Sequence, residues 1–304
     1  MTGRRDQRID SSKVIFLVGA GRSGTTLLYK LLCLHPRVGY ISNFENRWAA
    51  CPSGLPARLV ASAIDAKLAM WFGQGGNAYF VNRPWSKKAF PTPNEGEAIY
   101  RRGGMPLCPE PDYVPTLDSA RQLRQAFERI RRGAGAEVLV SKRTANNRRI
   151  RQLEAIFPEA RYVHIVRDGR EVTQSLANVE WWDDHTVWWD GRKARDIERA
   201  GEDRLSICAR TWVREVLELE TQLGRIPSAR RIDLRFEDLL RNPLQEVERV
   251  VQFLGLEWTP VYRTAIDSLR LRPGAAHWHD WTAEQLATVM RETQPTLSSL
   301  GYAA

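Results

Sequence analysis

The sequence predicts an α/β fold of three layers, similar to P-loop folds, with a mostly parallel central sheet between two layers of helices. Three observations support this prediction. Short apolar, β-branched runs alternate with longer segments of helical periodicity. The first of these runs ends in a glycine-rich loop that leads into a helix. No internal repeat or linker divides the 304 residues, so we expect a single domain over residues 1–304.

Four short apolar runs are predicted as strands that are buried on both faces of the sheet. They cover residues 14–18, 138–140, 161–166 and 229–236. Seven segments with apolar side chains every three or four positions are predicted as helices. They cover residues 25–34, 118–132, 146–157, 170–178, 202–223, 242–254 and 282–295. Because strands and helices alternate in chain order, we expect the strands to run parallel.

The charge balance is basic. The chain has 45 Lys and Arg residues against 36 Asp and Glu residues, a net charge of +9, and only seven of the basic residues are lysines. Genome composition, nucleic-acid binding or a small polyanionic ligand could each produce this bias. Because the arginines are scattered rather than grouped beside a DNA-reading motif, we expect no nucleic-acid partner.

The sequence also sets expectations about location and metals. No apolar run approaches the ~18 residues of a membrane span, and residues 1–10 lack the apolar core of a signal peptide. We expect residues 1–12 to be flexible. We therefore expect no membrane span and a cytoplasmic protein with reduced cysteines. No two of the four cysteines have C-x-x-C spacing, so we expect no metal site.

A glycine-rich loop joins the first predicted strand to the first predicted helix. Residues 19–26 read Gly-Ala-Gly-Arg-Ser-Gly-Thr-Thr. Glycines allow successive backbone N–H groups to point into one hollow, and the helix N-terminus adds partial positive charge, so the loop should bind an oxyanion. Gly19 and Gly24 have Walker A spacing, but Thr25 stands where the Walker lysine would be and Arg22 lies within the loop. The loop therefore predicts an anion site without the lysine of an NTPase.

Residues 16–28, Phe-Leu-Val-Gly-Ala-Gly-Arg-Ser-Gly-Thr-Thr-Leu-Leu, resemble the 5′-phosphosulfate loop of sulfotransferases that use 3′-phosphoadenosine 5′-phosphosulfate (PAPS). The sequences at residues 35–36 (His-Pro) and 45–47 (Glu-Asn-Arg) are closer to the tyrosylprotein, carbohydrate and bacterial branch than to the cytosolic aryl sulfotransferases. The resemblance implies sulfuryl transfer from PAPS to a hydroxyl or amine, with adenosine 3′,5′-bisphosphate as product and no metal. It implies that the loop contacts PAPS through Gly21, Arg22, Ser23, Gly24, Thr25 and Thr26.

A second anion site is predicted after the third strand. Arg167 stands at the carboxyl end of that strand, where α/β sheets bind ligands, and Ser175 follows eight positions later in the next helix. A guanidinium and a hydroxyl suit a terminal phosphate, and the pair resembles the 3′-phosphate motif of the family. Arg272, in Arg-Pro-Gly at residues 272–274, resembles a further nucleotide-binding position.

Three residues are predicted to carry the chemistry: Glu45, Lys142 and Arg22. Lys142 follows directly after the second predicted strand, at its carboxyl end, and a strand–helix–strand crossover should bring it to the same sheet edge as Arg167. The resemblance implies that this lysine contacts the bridging oxygen of the phosphosulfate and that Glu45 takes the proton of the acceptor. Histidines, among them His185, remain alternative bases.

Residues 48–117 and 179–230 are predicted to be insertions that form the acceptor site or a lid. The first contains a long Gly- and Pro-rich stretch, which is typical of binding loops. The second contains Trp181, Trp182, Trp188 and Trp189, which suit a core or the wall of an apolar site equally well. We expect a hydrophobic or aromatic small-molecule acceptor, with carbohydrate, lipid or peptide acceptors and a kinase-like phosphotransferase as alternatives.

Overall fold

The computed structural model describes residues 10–73, 89–110, 112–271 and 277–302. Its centre is a five-stranded sheet in the order β2-β3-β1-β4-β5. All four strand pairings are parallel. The strands are β1 (Val14–Val18), β2 (Val38–Tyr40), β3 (Val138–Lys142), β4 (Arg161–Val166) and β5 (Arg231–Arg235).

Helices connect and cover these strands. In chain order the described α-helices are α1 (Thr25–Leu34), α2 (Asn43–Arg47), α3 (Leu55–Leu59), α4 (Ile64–Trp71), α5 (Glu97–Arg102), α6 (Leu117–Gly133), α7 (Ile150–Ile156), α8 (Gly169–Ala177), α9 (Ala194–Arg199), α10 (Arg204–Leu223), α11 (Phe236–Arg241), α12 (Pro243–Phe253), α13 (Pro260–Ser268) and α14 (Ala283–Ser299). Short 3-10 turns lie at Ser11–Lys13, Thr144–Arg148, Ser228–Arg230 and His277–Asp280.

The side chains of β1 alternate between two cores. Ile15 and Leu17 pack in a core with α1, α12 and α13, whereas Phe16 packs in another with α6 and α7. All five residues of β1 are buried, as a parallel strand covered on both faces requires. The predicted three-layer α/β fold with a parallel sheet is therefore confirmed.

A third core lies beside the sheet and joins α8, α10 and α14. Val172 of α8, Trp212 of α10 and Leu297 of α14 are buried together there. Trp182, from the predicted insertion, is fully buried in the same core. This core fixes the helix that follows β4 against the long helix α10, and both helices supply residues to the site described below.

Some predicted boundaries differ from the structure. The strand β2 has only three residues and was not predicted, and the helices α3 and α4 lie within the predicted insertion at residues 48–117. Helix α14 continues through Pro295 to Ser299, although proline was expected to end it. The buried side chains of Thr296 and Leu297 pack the last turn, and this packing outweighs the backbone hydrogen bond that proline removes.

The sheet register brings three loops to one edge. Leu17 pairs with Lys142 of β3, and Val18 pairs with His164 of β4. Because the strands are parallel, the segments that follow β1, β3 and β4 leave the sheet on the same side, which is where α/β proteins bind ligands. In the described part of the chain, no helix has both the length and the apolar character that crossing a membrane requires.

Candidate active site

The glycine-rich loop after β1 is a tight turn that depends on its glycine content. Arg22 and Gly24 have left-handed φ angles of 67° and 84°, and Gly24 is the N-cap of α1. A Cβ atom on Gly24 would lie 2.1 Å from the ring of Phe236, so only glycine fits under that ring. The first N–H groups of a helix have no intrahelical acceptor, and here they face the loop. The loop thus has the backbone form of an oxyanion site.

Asn147 fixes the start of this loop. Its Oδ1 accepts from the N–H of Gly19 at 3.2 Å, and its Nδ2 donates to the carbonyl of Gly19 at 2.9 Å. The same Nδ2 donates to Glu215 Oε2 at 2.6 Å. Asn147 is completely buried, so both polar ends of its side chain are satisfied by protein. The turn after β3 therefore positions the loop after β1.

The structure brings together Arg22, Ser175 and Arg167, which are far apart in sequence. Arg22 Nε donates to Ser175 Oγ at 2.8 Å, and Arg167 NH1 donates to the carbonyl of Arg22 at 3.1 Å. Because the Ser175 oxygen accepts from Arg22, its hydroxyl proton can donate to a ligand. Two guanidinium groups and a hydroxyl therefore converge at the end of the glycine-rich loop, which suits an anionic group.

Arg167 is held on three sides. Its NH2 donates to Glu171 Oε2 at 3.0 Å, and its guanidinium lies 4.6 Å from the ring centroid of Phe236. Burial lowers the pKa of Arg167, while the neighbouring carboxylate of Glu171 opposes that shift. A partly desolvated cation of this kind gains from an anionic partner.

Lys142 reaches the same loop from the end of β3. Its side chain is 5% exposed, and Nζ lies 3.3 Å from Thr26 Oγ1 and 2.5 Å from Glu95 Oε1. Arg143 forms an ion pair with the other oxygen of Glu95. Glu95 was not among the predicted site residues, since it lies in the Gly- and Pro-rich segment, where no periodicity or motif marks it.

Both carboxylate oxygens of Glu45 accept hydrogen bonds from nearby residues of the chain. Its Oε2 accepts from the N–H of Ser42 at 2.9 Å and also from the Ser42 hydroxyl, and its Oε1 accepts from the N–H of Gly54 at 3.2 Å. These contacts form a capping box at the start of α2. The Ser42-x-x-Glu45 pattern signals this box in the sequence. With 2% exposure, Glu45 is a buried helix cap.

A cavity of about 670 Å³ opens beside the loop. Its described wall includes Gly21, Arg22, Thr25, Glu95, Leu107, Cys108, Lys142, Arg143, Arg148, Leu176, Trp181, His185, Trp188, Trp212 and Glu215. Glu45 is not among the described residues that line it. The tryptophan cluster is divided, because Trp181 and Trp188 line the cavity while Trp182 belongs to the third core. Both predicted insertions contribute to this wall.

An ion pair, Arg148–Glu215, lies in the same wall. Arg148 NH1 donates to Glu215 Oε1, and the guanidinium lies 4.8 Å from the ring centroid of Trp188. Burial raises the pKa of Glu215, although Arg148 opposes the shift. His185 stacks on Trp182 with ring centroids 5.6 Å apart, and burial and the charge of Arg148 lower its pKa. Sequence reasoning missed Arg148, Glu215 and Asn147, which lack any local motif.

Of the remaining candidates, Ser23 is fully buried on the loop and its hydroxyl has no protein partner among the described residues. A Cβ atom on Gly21 would meet nothing within 4 Å, so the space in front of that residue is open. Arg272 lies outside the described residues.

Comparison with known proteins agrees with this architecture. Omega-hydroxy-beta-dihydromenaquinone-9 sulfotransferase Stf3 of Mycobacterium tuberculosis (strain CDC 1551 / Oshkosh) is 25% identical, over 99% of this chain and 78% of its own length. Protein-tyrosine sulfotransferase 2 of Gallus gallus is 23% identical, over 81% of this chain and 52% of its own. The crystal structure of sulfotransferase STF9 from Mycobacterium avium has a TM-score of 0.61 at 15% identity, covering 96% of this chain and 77% of that one. At this identity the structural similarity shows the fold alone.

These relatives confirm the expected similarity to the bacterial and tyrosylprotein branch. The profile of the Sulfotransferase family matches residues 14–260, a range that contains the loop, Lys142, Arg167 and Ser175. This chain therefore belongs to the sulfotransferase family and is a sulfotransferase.

Proposed function

We propose that this sulfotransferase uses PAPS as donor and transfers its sulfuryl group to a hydroxyl or amine of an apolar, aromatic small molecule. One observation carries the proposal. The glycine-rich loop lines a cavity that also has aromatic residues in its wall, and Arg22 of this loop contacts Ser175 and Arg167. A donor with two separate anionic groups and an apolar acceptor would fit these two halves.

The donor half divides between two anionic groups. The loop and the N-terminus of α1 would hold the 5′-phosphosulfate, supported by the buried unpaired hydroxyl of Ser23 and the open space before Gly21. Arg167 and Ser175 would hold the 3′-phosphate. Lys142, which reaches Thr26 on the loop, would with Arg22 offset the charge that develops on the leaving phosphate.

The charge of the cavity wall supports a polyanionic donor. Its described Arg, Lys, Asp and Glu residues are Arg22, Lys142, Arg143 and Arg148 against Glu95 and Glu215, an excess of two positive charges. A wall with excess positive charge raises the local concentration of anionic ligands, and a bound anion relieves the repulsion among its cations. PAPS brings several negative charges to this wall.

The acceptor half is rich in aromatic and aliphatic side chains. Trp181, Trp188, Trp212, Leu107 and Leu176 contribute to its described wall. Such side chains favour ring systems and alkyl groups. Arg148, Glu215 and His185 in the same wall add polar partners for the group that accepts the sulfuryl group. An aromatic or hydrophobic hydroxyl compound is therefore the preferred acceptor, and carbohydrate, lipid and peptide acceptors are the alternatives.

Two measurements test the proposal. Calorimetry in the presence of EDTA should show binding of adenosine 3′,5′-bisphosphate that is much tighter than binding of ADP. Incubation with PAPS and 2-naphthol should give a product heavier by one sulfuryl group in mass spectrometry. Tighter binding of ADP with Mg²⁺ than of the bisphosphate would instead support a kinase-like enzyme, which Thr25 at the Walker lysine position argues against.

A further inference from the structure

Glu95 is held firmly at the mouth of the glycine-rich loop by its neighbours in the chain. The N–H of Asn94 donates to the carbonyl of Ile41 at 2.8 Å, and Asn94 Oδ1 accepts from the N–H of Gly96 at 2.9 Å. Gly96 has a φ of 69° and is the N-cap of α5, and a Cβ atom there would lie 2.7 Å from Ile41. The backbone on both sides of Glu95 is therefore fixed, so its carboxylate has a defined place in the cavity wall.

The carboxylate of Glu95 is engaged by two cations. Oε1 lies 2.5 Å from Lys142 Nζ, and Oε2 forms an ion pair with Arg143. Burial alone would raise the pKa of Glu95, but the charges of Lys142 and Arg143 outweigh burial and hold the pKa below its ordinary value. In this arrangement the carboxylate is ionised and is a weak base.

Lys142 has a second possible partner. Its Nζ lies 3.3 Å from Thr26 Oγ1 on the glycine-rich loop, and its side chain is 5% exposed. The phosphosulfate proposed for that loop would compete with Glu95 for the same ammonium group. A polyanion so close to Lys142 has a greater Coulombic pull than one carboxylate. When Lys142 turns to the donor, Glu95 keeps only Arg143, and its affinity for a proton rises.

We propose that Glu95 is the catalytic base of this enzyme and that binding of the donor, by drawing Lys142 to the loop, frees Glu95 to take the acceptor's proton. The proposal rests on the proposed function. In the step, the acceptor oxygen forms a bond to sulfur while the bond from sulfur to the bridging oxygen breaks. The electron pair of the broken bond stays on the phosphate, beside Lys142. The acceptor proton passes to a Glu95 oxygen and leaves to water after product release.

Two other candidate bases have less suitable surroundings. Glu45 uses both oxygens to cap α2 and bind Gly54, and it is 2% exposed. His185 lines the cavity but packs against Trp181 and Trp182, and no described contact links it to Lys142. Glu95 has a direct contact with the lysine that would meet the leaving group.

Glu95→Gln tests both parts of the proposal. Turnover of 2-naphthol with PAPS should fall by roughly 10²–10⁴-fold, because the base is lost. Affinity for adenosine 3′,5′-bisphosphate, measured by calorimetry, should rise at least threefold, since Lys142 no longer has a competing carboxylate. If Glu95 had a purely structural role, the variant would lose turnover and bisphosphate affinity together. Glu110→Gln, an exposed glutamate in the same segment, is the control and should leave both values unchanged.

Several results would overturn the proposal. A bisphosphate affinity of Glu95→Gln that is equal to or weaker than that of the wild type would show that the carboxylate does not compete for Lys142. This binding measurement needs no acceptor. Wild-type turnover in this variant, with loss of turnover in His185→Ala, would assign the base to the histidine. If Glu95→Gln does not fold, Glu95→Ala should regain turnover with sodium formate, and absence of rescue counts against the proposal. Failure of the wild-type protein to bind the bisphosphate would instead refute the proposed function.

Discussion

Replacement of Arg167 by methionine tests the proposed 3′-phosphate site most directly. The guanidinium of Arg167 lies 4.6 Å from the ring centroid of Phe236. Methionine keeps an apolar stem beside this ring but removes the charge and all five N–H donors. A charge-assisted hydrogen bond contributes about 1.5–3 kcal/mol. The affinity for adenosine 3′,5′-bisphosphate should therefore fall roughly 10- to 150-fold. Ser175→Ala removes a neutral donor and should cost roughly two- to tenfold.

The assay compares two ligands on the same folded variant. Calorimetry with adenosine 3′,5′-bisphosphate and with AMP, which lacks the 3′-phosphate, separates the phosphate contact from damage to the loop. Arg167 also donates to the carbonyl of Arg22 at 3.1 Å, so its loss could disturb the loop itself. Affinity for AMP should be nearly unchanged in Arg167→Met. An equal loss for both ligands would refute the proposed 3′-phosphate site and would mean that Arg167 shapes the loop instead.

Three further outcomes are expected. Trp188→Ala should raise the acceptor KM roughly five- to thirtyfold at unchanged bisphosphate affinity, because Trp188 lines the cavity. The buried Trp182→Ala should instead lower the free energy of unfolding by about 3–5 kcal/mol. Equal effects on KM would contradict the assignment of Trp188 to the cavity and Trp182 to the core. Gly24→Ala should abolish bisphosphate binding in calorimetry, because the new Cβ would lie 2.1 Å from an aromatic ring. The control is Gly191→Ala, at a similar φ but with nothing within 4 Å of the new Cβ. It should lower the free energy of unfolding in urea by only about 1–2 kcal/mol. Burial lowers the pKa of Lys67 from 10.5 to about 8. Between these two pH values the unfolded chain keeps a proton on Lys67 that the folded chain has lost, so the free energy of unfolding should rise with pH by up to about 3 kcal/mol relative to Lys67→Met. Parallel pH profiles of the two proteins in urea unfolding would contradict this expectation.

The parts of the fold that were predictable from the sequence are those with local signals. The strand at residues 14–18 and the helix at 25–34 have the predicted boundaries, because an apolar run, a glycine-rich turn and a helical period follow each other directly. The three residues of β2 are too few to form a recognisable pattern, and their pairing with β3 depends on residues 100 positions away. Whether such a short segment forms a strand depends on its packing and pairing with the neighbouring strand more than on its own sequence.

The candidate site residues show the same division. Lys142, Arg22 and Arg167 stand at the ends of predicted strands or in a recognisable loop, so parallel-sheet topology predicts that they meet at one edge. Glu45 was placed in the site by resemblance, although its own local pattern, a capping box, predicts the buried cap that the structure shows. Glu95 has no local pattern, and its place follows from Gly96 and from ion pairs with a strand 47 residues away.

The sequence by itself therefore determined the layered α/β fold, the glycine-rich turn after the first strand and the family. Each depends on spacing within a few residues and on the rule that parallel strands share an edge. Only the tertiary structure decided which carboxylate meets Lys142, which tryptophans line the cavity and which fill the core, and how Asn147 and Glu215 hold the loop. The physical reason is that these contacts join segments 47 to 128 residues apart. Their geometry is fixed by packing and by the cost of burying unpaired polar groups, and neither leaves a periodic signal along the chain.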